Sequence, residues 1–242
     1  MAIASQYSRP AISAQPRHVH PTAPLAPRAL LTGDPGRALE LAQLLTSEPK
    51  MFNHNRGLWG YSGVAEDGEP LTIMSHGIGG PSAAIVLEEL CDLGLQRAIR
   101  IGSCGALSDS LELGQLICAD YLIGADGTSR TLLGDGALIP DEQMTALLAA
   151  EADHSGTVVS ADLFYERGTE RIERWKASGA IAVEMEAAAL LAVAQLRSIR
   201  FAALLMVSDA SAGAGARLEG VALEQATERL GRAGLAALLA SG

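Results

Sequence analysis

The sequence is poor in cysteine, in aromatic residues and in basic residues. Its three cysteines, Cys91, Cys104 and Cys118, form no CxxC pair and cannot all be joined in disulfides, which favours a reducing, cytoplasmic location. No cluster of Lys and Arg occurs, and the formal net charge is -10. Because a surface that binds nucleic acid needs a basic footprint, nucleic acid is excluded as the expected partner.

Long apolar runs are also missing. Although 48% of the residues are hydrophobic, no run reaches the roughly 18 residues of a membrane span, so no membrane association is expected. The first residues, "MAIASQYSRPAISAQPRH", lack the apolar core of a signal peptide. We expect residues 1–17 to form a flexible N-terminal extension and residues 18–242 to form a single domain.

Clustered metal ligands are absent as well. The five histidines are scattered, and the one close pair, His18 and His20, has no Cys or carboxylate at ligand spacing nearby. We therefore expect no metal site, and a small molecule as the partner.

Predicted strands and helices alternate along the chain. Strands are predicted over 28–33, 58–64, 71–77, 97–105, 114–124, 156–161, 181–183 and 201–209. Helices are predicted over 37–45, 81–94, 141–150, 169–178 and 187–192, with one more closing the chain. Such alternation indicates an α/β fold in which helices cover both faces of one sheet.

Two acids stand in an otherwise apolar stretch, "IAVEMEAAALLAVA", residues 181–194. Burying an ionised carboxylate without a partner is costly, so Glu184 and Glu186 are either paired internally or face a ligand. The β-suited residues before them and the helix-favouring residues after them place the pair where a strand ends and a helix begins. Ligands commonly bind at such junctions in α/β folds.

Two turns that carry an arginine follow predicted strands. In "GDPGR", residues 33–37, the backbone N–H groups of a helix start and Arg37 suit an anion, although a simple turn with a surface arginine fits equally well. In "RIGSCG", residues 100–105, Arg100 lies inside an apolar strand and needs an acceptor. That acceptor is either a phosphate, reached together with Ser103, or a structural acid.

A further acid and a pair of aromatic side chains also follow predicted strands. In "VSDAS", Asp209 comes after a very apolar strand, where partial burial favours the protonated form that a general acid requires; a helix cap is the alternative. In "SADLFY", Phe164 or Tyr165 is suited to stack on a planar base, or else belongs to the core.

Seven segments, taken together and in this order, resemble the nucleoside phosphorylase family, whose bacterial members include hexameric purine nucleoside phosphorylases and uridine phosphorylases. They are "GDPGR", "NRGLWGYSG", "SHGIGGPSAAI", "RIGSCGAL", "SADLFY", "VEMEAAAL" and "VSD". The resemblance implies a three-layer fold with a central mixed, partly barrel-like sheet flanked by helices. It also implies inorganic phosphate as a co-substrate and no cofactor.

The resemblance assigns roles to individual residues. The phosphate-binding residues would be Gly33, Arg37, Arg56, Arg100, Gly102 and Ser103. The ribose-binding residues would be His18, Glu184, Met185 and Glu186. The base-binding residues would be Phe164, Val183, Ser208 and Asp209, with Asp209 as the catalytic acid. Family members reach across a subunit interface with the residues that match Arg56 and His18, so a homo-oligomer with shared sites, a hexamer built as a trimer of dimers, is expected.

The reaction implied is reversible phosphorolysis of purine (deoxy)ribonucleosides, in which Asp209 protonates the leaving base. Uridine phosphorylase is the first alternative, since "GIGGPS" and "ADGTS" resemble that branch. However, the segment "FYERGTER" has Thr169 where that branch has glutamine, with Arg171 as a possible match to its arginine, and the branch lacks the "SD" acid. A hydrolytic nucleosidase is disfavoured because three desolvated arginines would be costly without an anion. A non-catalytic nucleoside-binding protein would be expected to have lost the acid or an arginine.

Overall fold

A computed structural model describes residues 16–134, 136–165, 168–210 and 215–242. The strands are β1 (Arg28–Thr32), β2 (Ser47–Asn53), β3 (Gly60–Val64), β4 (Pro70–Ser75), β5 (Arg97–Ala106), β6 (Leu116–Gly124), β7 (His154–Ser160), β8 (Ala180–Glu184) and β9 (Arg200–Asp209). The α-helices are α1 (Pro35–Leu45), α2 (Gly80–Asp92), α3 (Gly127–Leu133), α4 (Glu142–Glu151), α5 (Thr169–Ala177), α6 (Ala187–Arg197) and α7 (Gly220–Ala240). A 3₁₀ turn covers Asn55–Gly57.

The strands form one mixed sheet that is partly closed on itself. Its order is β2-β3-β4-β1-β5-β8-β7-β6-β9, and β9 pairs in addition with β5. The strands β5, β8, β7, β6 and β9 therefore form a closed five-stranded barrel, while β1 to β4 extend from it as an open sheet. The predicted mixed, partly barrel-like sheet flanked by helices is confirmed.

Successive residues of the central strands face two separate helical layers. In β9, Leu204 and Met206 pack into the core formed with α1, α4 and α7. Their neighbours Ala203 and Leu205 pack into the core formed with α2, α3 and α6. Since strand side chains alternate between faces, a strand covered on both sides is apolar throughout, as "FAALLMV" is.

Two elements were not predicted from the sequence. Strand β2, "SEPKMFN", is an edge strand with five of its seven residues exposed, so its polar sequence lacks the apolar pattern of a buried strand. Helix α3 is short and is capped by Asp126, whose side chain accepts a hydrogen bond from the backbone N–H of Ser129. The segment "ADGTS" forms this helix start.

The structure describes only the last two residues of the predicted N-terminal extension, residues 1–17. Residues 1–15 of the predicted extension lie outside the described residues, whereas the backbone N–H of Arg17 donates to Glu89. Within the described ranges, no helix combines the length and the apolar character needed to cross a bilayer.

Candidate active site

A cleft of about 830 Å³ opens where β1, β5, β8 and β9 end. Its walls include all of the predicted site residues other than His18 and Arg56: Gly33, Arg37, Arg100, Gly102, Ser103, Phe164, Val183, Glu184, Met185, Glu186, Ser208 and Asp209. Strand β8 runs antiparallel to β5, and its last residues meet the last residues of β5 through the pair Gly105 and Val183. The barrel thus brings together polar side chains that are far apart in the sequence.

Arg100 lies at the base of this cleft and is 3% exposed. Its Nε donates to Oε2 of Glu184 over 2.9 Å, and its Nη2 donates to Oε2 of Glu186 over 2.6 Å. Its Nη1 lies 2.8 Å from Nε2 of His76. Both acids of the apolar stretch are therefore paired internally, and they also line the cleft.

Glu184 ends β8, and its carboxylate is held entirely by protein groups. It accepts hydrogen bonds from Arg100, from Ser160 Oγ and from the backbone N–H groups of Glu186 and Ala187 at the start of α6. A carboxylate at a helix N-terminus is favoured by the helix dipole. The predicted strand-to-helix junction is confirmed, and its position explains how Glu184 stays buried.

Glu186 stands at the N-cap position of α6 and points into the cleft. Its Oε1 accepts the backbone N–H of Gly79 over 2.6 Å, beside the ion pair that Oε2 makes with Arg100. Burial raises the pKa of this carboxyl, the positive charge of Arg100 opposes that rise, and Glu184 adds to it. Each carboxylate oxygen has two lone pairs, so acceptor capacity remains for a ligand in the cleft.

His76 was not predicted to belong to the site. It follows β4 directly, is fully buried, and its Nδ1 lies 2.9 Å from the carbonyl oxygen of Gly77. This contact assigns the hydrogen to Nδ1, so Nε2 accepts from Nη1 of Arg100. Burial lowers the pKa of His76 well below its usual value, and the charge of Arg100 lowers it further. The signal in the sequence was a histidine directly after a buried strand, in "LTIMSHG".

The 33–37 turn places the start of α1 at the cleft. Asp34 caps the helix by accepting the backbone N–H of Arg37, and the side chain of Arg37 lines the cleft. Burial lowers the pKa of Arg37; the carboxylate of Asp34 opposes this, and the charge of Arg100 adds to it. The alternative of a turn with a surface arginine is wrong, because Arg37 is half-buried and close enough to Arg100 to be affected by its charge.

Gly102 makes room for the guanidinium of Arg100. A Cβ atom at position 102 would lie 2.7 Å from Nη2 and 2.8 Å from Cζ of Arg100. Those distances are shorter than any ordinary contact, so a side chain here would displace the guanidinium from its acceptors.

Asp209 also lines the cleft; it is the last residue of β9, pairs with Gly105 of β5 and is 6% exposed. The helix-cap alternative concerns the segment that follows, of which residues 211–214 lie outside the described residues. Oδ2 of Asp209 accepts a hydrogen bond from Oγ of Ser208 over 2.7 Å. Nε of Arg217 lies 2.9 Å from Oδ1, within ion-pair distance. The N–H bond is not directed at that oxygen, however, and within the described ranges Oδ1 receives no hydrogen bond.

Phe164 and Tyr165 line the same cleft and are not part of the core. Phe164 is half-exposed, Tyr165 is almost fully exposed, and their rings pack edge to face with centroids 5.0 Å apart. A planar base has an aromatic surface available at this wall.

The comparisons with known proteins agree on the family. A family model described as the phosphorylase superfamily matches residues 27–241. Guanosine phosphorylase of Halorubrum lacusprofundi is 36% identical over 186 residues, which are 74% of this chain and 76% of that protein. Purine nucleoside phosphorylase DeoD-type 2 of Vibrio cholerae is 34% identical over 214 residues, 83% of this chain and 86% of that protein. The chain belongs to the nucleoside phosphorylase family.

The fold agrees with this assignment. The crystal structure of a uridine phosphorylase from Vibrio fischeri matches with a TM-score of 0.80 at 26% identity, covering 89% of this chain and 92% of that chain. The predicted resemblance to the nucleoside phosphorylases is confirmed.

His18 and Arg56, the two predicted site residues that do not line the cleft, lie on neighbouring segments. His18 donates from Nδ1 to Oε1 of Glu89 over 2.7 Å, and its carbonyl oxygen accepts from Nδ2 of Asn55. Arg56 is the next residue in the chain, is exposed, and has φ 58°. The cleft of a single chain therefore contains neither side chain.

Arg171, the possible match to an arginine of uridine phosphorylases, lies on α5. Its guanidinium stacks over the ring of Trp175 at 5.3 Å from the centroid. Neither Arg171 nor Thr169 lines the described cleft.

Proposed function

We propose that this chain catalyses the reversible phosphorolysis of purine (deoxy)ribonucleosides to free base and (deoxy)ribose 1-phosphate. The single observation that carries the purine assignment is the buried carboxyl of Asp209 at one end of the cleft, with an oxygen that receives no hydrogen bond among the described residues. A carboxyl oxygen that accepts no donor is the one free to carry a proton, as a general acid must.

Phosphate would bind at the Arg37 and Arg100 end of the cleft. Phosphate is a weak nucleophile, so binding it beneath C1′ of the sugar contributes chiefly by proximity. Arg100 donates one N–H of Nη1 to His76, which leaves the second hydrogen of Nη1 available for an acceptor in the cleft. The backbone N–H groups at the start of α1 add donors that suit an anion.

Ribose would lie against Met185 and Glu186, between the phosphate and the base. Glu186 would accept hydrogen bonds from the 2′- and 3′-hydroxyls with the lone pairs that Gly79 and Arg100 leave. As the glycosidic bond stretches, positive charge develops on the sugar, and the anionic oxygens of phosphate and Glu186 stabilise it.

The purine would lie between Phe164 and Val183, with its polar edge towards Ser208 and Asp209. Protonated Asp209 would donate to N7, so that the base leaves without a negative charge. Arg217 would then stabilise the resulting carboxylate from its position 2.9 Å from Oδ1, which favours the forward proton transfer.

His18 and Arg56 would complete the cleft of a neighbouring chain. Both side chains lie outside their own cleft, and hydrogen bonds link the segments that carry them: Nδ2 of Asn55 donates to the carbonyl oxygen of His18, and the backbone N–H of His20 donates to Oδ1 of Asn53. We propose a homo-oligomer in which pairs of chains exchange these residues, as in a trimer of dimers.

A uridine phosphorylase is the second candidate, supported by the similarity to the Vibrio fischeri uridine phosphorylase. Against it stand the acid Asp209 in the cleft and the position of Arg171 over Trp175. Hydrolysis is disfavoured because Arg37 and the start of α1 line the same cleft as Arg100 and offer donors that suit a phosphate anion.

The test is the release of free base from inosine, adenosine, guanosine and uridine, each with and without inorganic phosphate. Release from the purine nucleosides alone, and only with phosphate, supports the proposal. Release from uridine would transfer the assignment to the uridine branch, and release without phosphate would make the enzyme a nucleosidase.

A further inference from the structure

His76 contacts both segments to which the proposed function assigns phosphate. On one side its Nε2 accepts a hydrogen bond from Nη1 of Arg100 over 2.8 Å. On the other side its backbone N–H donates to the carbonyl oxygen of Thr32 over 2.8 Å, directly before the 33–37 turn. A Cβ at Gly33 would lie 3.8 Å from Cε1 of the imidazole, so the ring packs against the start of that turn.

The imidazole is fixed in orientation. Its Nδ1–H donates to the carbonyl oxygen of Gly77. The backbone carbonyl oxygen of His76 accepts a hydrogen bond from Oγ of Ser82 over 2.6 Å. The ring is completely buried. With Nδ1 holding the hydrogen, Nε2 can act only as an acceptor, and its one available donor in the described structure is Arg100.

Nε2 of His76 is the third acceptor bound to Arg100, after Glu184 and Glu186, and its charge matters because phosphate would bind nearby. Glu184 and Glu186 already place two negative charges on Arg100. A third carboxylate would satisfy Nη1 equally well but would add a further negative charge close to the phosphate and so increase the repulsion. An uncharged imidazole satisfies the same N–H bond and adds no negative charge.

We propose that His76 is a positioning residue for phosphate, whose uncharged imidazole holds the guanidinium of Arg100 at a fixed distance from the 33–37 turn. The inference rests on the proposed function, because that function assigns Arg100 and the turn to phosphate. His76 itself would not contact the reacting atoms.

The test compares three variants of the full chain. His76→Met keeps a side chain of similar length and removes the acceptor, while His76→Gln keeps an amide oxygen near the position of Nε2. His154→Gln is the matched control, since His154 is a half-buried histidine that hydrogen-bonds to Gln115 and lies outside the cleft. Two properties are measured: KM for phosphate and for the nucleoside that the wild type cleaves, and the rise in Tm caused by inorganic phosphate alone.

In His76→Met we expect KM for phosphate, and the phosphate concentration needed for a given rise in Tm, to increase about tenfold, because a hydrogen bond that orients a charged group is lost. KM for the nucleoside should change less than about threefold. His76→Gln should recover most of the phosphate affinity, and His154→Gln should match the wild type. If His76→Met does not fold, His76→Asn, whose shorter side chain withdraws the acceptor, is expected to show the same loss.

One outcome would overturn the role of His76 and leave the proposed function standing. In it, the activity of the wild type depends on phosphate, but the variants without an acceptor at position 76 keep the wild-type KM for phosphate. The same holds if the Met and Gln variants lose kcat equally with both KM values unchanged, since that would indicate a structural role. A wild type that neither binds nor requires phosphate would overturn the proposed function, and the inference with it.

Discussion

Nε of Arg217 lies 2.9 Å from Oδ1 of Asp209 at one end of the cleft. Residues 217 and 218 lie beside the end of β9: the backbone N–H of Leu218 donates to the carbonyl oxygen of Ser208, and Arg217 forms an antiparallel bridge with Asp209. The side chain of Arg217 is 62% exposed whereas the side chain of Asp209 is 8% exposed, so an exposed cation lies beside a buried acid. In the proposed reaction, Arg217 would be placed to stabilise the carboxylate that Asp209 becomes when it gives up its proton.

Replacing the acid tests its catalytic role. Asp209→Asn should lower kcat for purine nucleosides by about 100-fold or more, because the leaving base would depart without protonation. KM for phosphate should stay within about twofold of the wild type, since Arg100 lies beside Ala203 of β9 and Asp209 comes six residues later on that strand. Steady-state kinetics with inosine measure both, and turnover within tenfold of the wild type would exclude Asp209 as the general acid.

Removing the positive charge of Arg217 should lower kcat less than removing the acid Asp209. Arg217→Gln is expected to lower kcat about tenfold, the effect of roughly 1.4 kcal/mol of lost stabilisation of the carboxylate. Arg232→Gln is the control, because Arg232 is a similarly exposed arginine that pairs with Glu228 on α7, outside this cleft. Equal activity of the two variants would show that Arg217 does not assist.

A methyl group at position 102 should act on phosphate through Arg100. In Gly102→Ala the added Cβ would lie 2.7 Å from Nη2 of Arg100, so the guanidinium must leave its acceptors. KM for phosphate should rise by about tenfold as charge-assisted hydrogen bonds are lost. Gly168→Ala is the matched control, because among the described residues nothing lies within 4 Å of a Cβ at Gly168. An unchanged KM in Gly102→Ala would argue against phosphate binding by Arg100.

Shared sites predict complementation between two inactive variants. Arg56→Asn removes the cation while tolerating the left-handed backbone at this position, φ 58°. Glu186→Gln removes the ribose acceptor from the chain's own cleft. Randomly mixed subunits should recover up to about a quarter of the wild-type activity, because a mixed pair holds one intact site. Co-expression with different affinity tags provides the mixed oligomers, and the absence of any recovery would contradict the exchange of Arg56.

An ion pair remote from the cleft predicts how stability depends on pH. The Arg28 guanidinium donates to both carboxylate oxygens of Asp67 over 2.7 Å, and these hydrogen bonds lower the pKa of Asp67 to about 2. Because the folded-state pKa is lowered, the stabilisation is complete above the unfolded value near 3.8 and is lost as the pH falls towards 2. The difference in free energy of unfolding between wild type and Asp67→Asn should therefore narrow from about pH 6 to about pH 3. Urea titrations measure it, with Asp109→Asn in an exposed turn as the control; a difference independent of pH would contradict the prediction.

Local patterns allowed most of the elements to be predicted. The apolar run of β9 and the change from β-suited to helix-favouring residues around Glu184 are short-range signals, and both elements formed where they were expected. Strand β2 was missed because an edge strand needs no apolar face. Helix α3 was missed because a single short helix offers too few positions to show a period.

The order of motifs in the sequence determined the family, and the ends of predicted strands indicated which side chains would meet at a cleft. Only the tertiary structure decided that β9 pairs with β5 to close the barrel, that His76 and both acids bind Arg100, and that Arg217 comes beside Asp209. The reason is physical: strand and helix preferences depend on neighbouring residues, whereas the partner of a buried charge depends on which distant segments pack together and on the direction in which each side chain points.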